Sequence, residues 1–221
     1  MFDLIALLTS IAAIAGYHVF LRLKLRRNPL YTVHAVNIAA RSTWVAAIMA
    51  SGKSDVLAVQ TLRNSVMASS FMASTAILLL IGALSLSSSS DHSSSLWHAL
   101  NASGATTDEV IAWKLVCLVL DFFIAFFCFS MAVRFYNHVG YMVSVPTLAA
   151  QDAVSPALAT AYLNRAGLFY LLGIRSFFYS VPLVFWMFGP YFMIVATLAL
   201  IAGLYPLDRA PIAMIDRPLV R

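Results

Sequence analysis

Seven polar side chains stand out because they flank long apolar runs: Arg41, Arg63, Asn64, Arg134, Asn137, His138 and Arg175. Guanidinium groups are planar forks that match phosphate and carboxylate oxygens bidentately. Gathered at one membrane leaflet, these residues would hold an anion or a lipid headgroup. The ordinary alternative is that the arginines snorkel, cap helix C-termini and meet inner-leaflet phospholipid without specificity. Asp121 is a second oddity, a carboxylate near the middle of an apolar run. Such a group either lines an ion path or stays protonated, held by hydroxyls such as Ser74 or Thr75. His18 and His138 fall near the inner ends of two runs, which makes a shared haem geometrically conceivable, although an interfacial histidine bonded to backbone or lipid is the usual case. Asp91, His92 and His98 sit on a serine-rich stretch without a ligand framework, so no metal or other cofactor is expected from them. No Walker loop, G-x-S-x-G, H-E-x-x-H or paired-cysteine motif occurs, so an enzyme is not expected.

What must position these residues follows from composition. Of the 221 residues 62% are hydrophobic and only 10% charged, and the mean hydropathy is +0.86. A globular domain carries about 25% charged residues, and a disordered chain would be polar and charge-rich. The membrane class remains, with the lipid bilayer as the first partner. The net charge of +5 is no nucleic-acid footprint, because the basic residues sit beside hydrophobic runs instead of forming one basic face. Cys117 and Cys128 share one run about 16 Å apart along a helix axis, too far for a disulfide.

The expected architecture is all-α: a polytopic membrane helical bundle with four transmembrane helices, at about residues 2–21, 66–86, 110–133 and 180–204, and two cytoplasmic amphipathic helical segments. The first span is retained, because Asp3 stands where a signal peptide would carry a basic residue. Arg22, Lys24, Arg26 and Arg27 follow it at once, and the positive-inside rule puts them in the cytoplasm. Tyr31–Ser51 is too polar to span and reads as an amphipathic helix on the inner surface. Residues 87–109 form an extracytoplasmic serine-rich loop. Ser155 and Pro156 mark a helix start as N-cap and first helical residue. The last span passes through Pro182 and Gly189-Pro190, which should kink it. Both termini then face outward, and ten of the 14 Lys and Arg residues fall inside against four outside.

Small residues recur at helical spacing in the second run, at Ser65, Ser69 and Ala73. Lipid offers little hydrophobic drive for helix association, so a face that lets backbones approach closely marks a packing interface. With the kinked helix at Gly189 and Pro190, it suggests a non-catalytic component of a homo-oligomer or a larger complex of membrane subunits. The alternative is a small transporter or channel for an anion or a proton, using the arginine belt and Asp121. Anionic phospholipid at the inner leaflet is the other expected partner, and nucleic acid is not.

Several separated motifs also carry a resemblance. Arg41-Ser42-Thr43-Trp44, the run from Ala58 to Asn64, Arg134-Phe135-Tyr136-Asn137-His138, the run from Gly173 to Leu183, and Phe188-Gly189-Pro190 resemble the membrane family called domain of unknown function 599. They extend from about residue 30 to Asp208. The resemblance implies a multi-span protein of a family found in bacteria and plants, and hence the bacterial cytoplasmic membrane, but brings no activity. Asp121 and the serine-rich loop are not part of it.

Overall fold

The computed structural model describes residues 2–51, 55–88, 108–145 and 154–211. Among them the chain forms six helices: α1 (Phe2–Arg27), α2 (Val33–Ser51), α3 (Asp55–Ser88), α4 (Asp108–Val143), α5 (Pro156–Phe188) and α6 (Pro190–Asp208). All except α2 are long and apolar enough to cross a membrane, which makes five candidate spans where four were expected.

Local chemistry sets the helix ends. Asp3 in the first turn of α1, and Lys24, Arg26 and Arg27 in its last, complement the helix dipole at both ends. Pro29 has no N–H to continue the helix, and the Asn28 side chain accepts a hydrogen bond from the Leu30 N–H at 3.1 Å. Thr32 then caps α2, its hydroxyl accepting from the Ala35 N–H at 3.3 Å. At α5 the expected start is found: the Ser155 hydroxyl accepts from the Leu158 N–H at 3.2 Å, and Pro156 takes the first helical position.

The C-terminal third departs from expectation. The segment read as one kinked span, 180–204, is two helices, because α5 ends at Phe188 and α6 begins at Pro190. Gly189 between them has φ 143° and ψ 161°, a conformation that only glycine adopts without strain. Its N–H donates to the Trp186 carbonyl at 3.1 Å, ending α5. Pro190 costs α6 nothing, since the first N–H of a helix has no partner within it. Pro182, by contrast, sits inside α5 without ending it. Among the described residues the second amphipathic segment forms no separate helix. Residues 134–143 are the last turns of α4, and 156–180 are the body of α5. The first such segment is a helix as expected: α2 buries Val45, Ile48 and Met49 and exposes Asn37 to Ala40.

The chain divides into two compact units, Met1–Val36 with Leu80–Asp121 and Phe177–Arg221, and Asn37–Leu79 with Phe122–Ser176. In the first, the Ala210 N–H donates to the Tyr31 carbonyl at 2.9 Å, and Thr32 and Arg209 form an antiparallel bridge. The Tyr17 hydroxyl donates to Asp208 at 2.8 Å, whereas Trp186, just before α6, reaches Asp3. So α6 runs parallel to α1 and ends at the C-terminal end of α1. The four-span reading put that end on the side of Met1.

The second unit holds a core of Val45, Met49, Leu62, Phe135, Val139, Leu163 and their neighbours. The small-residue face of α3 is used within the chain: Ser69 and Ala73 are buried, and the Ser69 hydroxyl donates back to the Ser65 carbonyl at 2.8 Å. On α5, a Cβ at Gly173 would stand 2.8 Å from the Phe129 ring. Close backbone approach, and not side-chain bulk, brings α5 onto α4 there.

Candidate functional site

All seven residues of the arginine belt belong to the second unit. Arg63, Asn64, Arg134, Asn137 and His138 are exposed on their helices, while Arg41 and Arg175 are half-buried. The belt is therefore not one closed cluster. A cleft of about 290 Å³ opens among Asn64, Ser65, Ala68, Tyr136 and Tyr170, from α3, α4 and α5. Arg41 of α2 lies close enough to Tyr136 for its charge to act on that phenol. Its guanidinium packs flat against the backbone of Gly167, where a Cβ would collide with it. Arg41 Nη1 and Asn164 Oδ1 are both buried in this unit with no hydrogen-bond partner among the described residues. Arg165 lies over the Phe135 ring at 5.1 Å, and the His138 ring is 6.2 Å from that of Tyr162. Arg175 interacts with groups of the protein.

The first unit carries polar groups that the sequence reading left unconnected. Lys114, only 1% exposed, forms an ion pair with Asp3 at 2.8 Å. The Trp186 indole N–H donates to the same carboxylate at 2.9 Å, and the Lys114 ammonium lies 5.5 Å from the centre of the Trp186 ring. This clasp gathers α1, α4 and α5 around one buried charge pair. Further along α1, His18 Nε2 and the Tyr179 hydroxyl share a hydrogen bond of 2.5 Å. That bond occupies one of the ring nitrogens that a haem reading needed. At the far end of α1, burial pushes the Tyr31 phenol above its ordinary value, a hydrogen bond with Tyr205 adds to the shift, and Arg209 opposes it.

Asp121 is half-buried and takes part in interactions with the protein, so it is not the lone carboxylate expected. The Thr75 hydroxyl is spent on the Phe71 carbonyl at 3.0 Å. Asp91, His92 and His98 lie outside the described residues. Among those described, no three His, Cys, Asp or Glu side chains come together as a metal site.

Sequence reasoning missed the two tyrosines of the cleft and the clasp. Tyr136 sits inside the quoted motif between Arg134 and Asn137, and its burial was the signal that its neighbours face elsewhere. Asp3 and Lys114 each lie near the start of an apolar run, and only the packing of α1 against α4 pairs them.

The sequence model of a family described as "protein of unknown function, DUF599" matches residues 5–212. The chain belongs to this family. The match covers all of the described structure except a few N-terminal residues, so the cleft and the clasp both lie in the family region, save Asp3 itself. No curated protein and no solved structure matches the chain.

Proposed function

We propose that this chain is a five-span membrane protein with its N-terminus outside and its C-terminus inside, and that its work is binding at the inner side and not bond-making. One observation carries the membrane reading. Along α4, Val116, Leu120, Phe123, Ile124 and Phe127 form a helical stripe, each 46–56% exposed. In water such a face would be an aggregation site, whereas in lipid it is the ordinary outer surface of a span.

Charge supports the orientation. With α6 returning to the C-terminal end of α1, Arg22, Lys24, Arg26, Arg27 and Arg209 gather at one end of the first unit. The other described cation of that unit, Lys114, is neutralised by Asp3 near the opposite end of α1. Helix length fits too. α3, α4 and α5 have 34, 36 and 33 residues, roughly 50 Å at 1.5 Å per residue, against a hydrocarbon core of about 30 Å. Their inner ends, with the arginines and the cleft, project past the lipid.

The test is sidedness. With Cys117 and Cys128 replaced by alanine, single cysteines at Phe2, Arg26 and Pro211 are exposed to a membrane-impermeant maleimide in intact cells. Labelling is expected at position 2 alone. Labelling at 211 from outside would return the chain to four spans.

A second reading, passage of an anion or a proton, is favoured by the His18–Tyr179 hydrogen bond inside the spans. Unchanged flux in proteoliposomes carrying Asp121→Asn or Arg175→Ala would remove those two residues from any such path.

A further inference from the structure

The geometry points to an oxyanion site at Arg41, in which a phosphate group enters the cleft beside Tyr136 and is held by the guanidinium pinned on Gly167. This deepens the inner-side binding reading by naming the ligand's chemistry.

Charge balance is the first ground. The segments Asn37–Leu79 and Phe122–Ser176 contain six Lys and Arg residues but only Asp55 and Asp152 as carboxylates. That surplus of four is most of the protein's net charge of +5. No carboxylate is found paired with Arg41 among the described residues. A half-buried guanidinium without a carboxylate needs its counter-charge from outside the chain.

Hydrogen bonding is the second ground. Arg41 Nη1 is buried and unsatisfied, and a buried donor left unmatched is costly. A phosphate or carboxylate oxygen is the acceptor that suits a guanidinium fork. The third ground is the fit. Gly167 leaves Arg41 no room to be displaced toward α5 without a clash. The cleft lies beside Tyr136, on which the Arg41 charge acts. The Ser65 hydroxyl is spent on the Thr61 carbonyl at 3.1 Å, but the cleft offers the hydroxyls of Tyr136 and Tyr170 and the amide of Asn64 as donors. Its volume of about 290 Å³ lies at the low end of ligand pockets, enough for a phosphate with its substituent but small for a nucleotide.

Two sources share this chemistry, an anionic phospholipid headgroup and a free phosphate, and the experiment separates them. Full-length protein is placed in nanodiscs of phosphatidylcholine. It is titrated in one arm with inorganic phosphate, followed by ³¹P NMR, and in the other with phosphatidylglycerol supplied from vesicles, followed by native mass spectrometry of retained lipid. Saturable binding in either arm is expected, weakened about tenfold or more by Arg41→Gln and by Gly167→Ala, and unchanged by Arg26→Gln at the far end of α1. Binding in the phosphate arm assigns a soluble ligand, and binding in the lipid arm alone assigns a headgroup. Where Arg41→Gln does not fold, Gly167→Ala and Tyr170→Phe carry the comparison. No binding in either arm, or equal binding by wild type and the Arg41 and Gly167 variants, overturns the site. The readout does not depend on which side the cleft faces, so a failed topology and a failed site give different results.

Discussion

Lys114 is the side chain on which the most rests. A buried ammonium is tolerable only while it is paired, and here a carboxylate, an indole N–H on that carboxylate and an aromatic face all serve the one charge. Removing one member strands the other. Asp3→Asn is expected to cost about 3 kcal/mol, in the range for breaking a buried pair, and to lower the thermal midpoint in detergent. Asp3→Asn combined with Lys114→Met should cost less than the sum of the two single changes. A double-mutant cycle on that midpoint reads the coupling, and strict additivity would mean that the two charges do not interact. Ser69 makes the complementary case. It is fully buried where α3 packs, so Ser69→Leu overfills the contact, with an expected loss of about 1–3 kcal/mol, while Ser70→Leu on the exposed face changes little.

At the level of elements, the decisive position is Gly189. Its φ of 143° admits no other residue cheaply, and Gly189→Ala should destabilise by about 1–3 kcal/mol, seen as earlier unfolding. Here the sequence was legible in its parts and misread in their sum. Ser155-Pro156 reads as a cap and a first helical residue, and the structure has that cap, whereas Gly189-Pro190 carries the same signal, reads as a kink, and is a break between two helices. The reason is physical. Residues 156–175 carry Thr160, Asn164, Arg165 and Arg175, which lower the hydropathy of the first turns of α5 and hid that the helix runs unbroken to Phe188. α1, α3 and α4 contain the apolar runs read at 2–21, 66–86 and 110–133, the last broken by Lys114 and Asp121, and each helix extends beyond its run. The cleft was half legible. Asn64 announces itself by its amide at the end of an apolar run, whereas Tyr136 and Tyr170 are indistinguishable in sequence from packing aromatics. Only the crossing of α3, α4 and α5 makes them a wall.

For the molecule as a whole, the return of α6 alongside α1 matters most. It brings Ala210 to Tyr31, just beyond α1, and among the described residues α1 itself takes partners from far along the chain: Lys114, Tyr179, Trp186 and Asp208. Truncation after Phe188 removes α6 and the Tyr31–Ala210 and Tyr17–Asp208 bonds. Protease cleavage within residues 28–32 is expected to accelerate severalfold in membranes bearing the truncated chain, and equal rates would show that the pairing at Tyr31 contributes nothing.

The same arrangement has a consequence for biosynthesis. Three of the described partners of α1, Tyr179, Trp186 and Asp208, are encoded at least 161 positions after the residues they bond. Until residues 179–186 have been made, His18 lacks its phenol and Asp3 its indole N–H, so α1 must wait in the bilayer for bonds encoded far downstream.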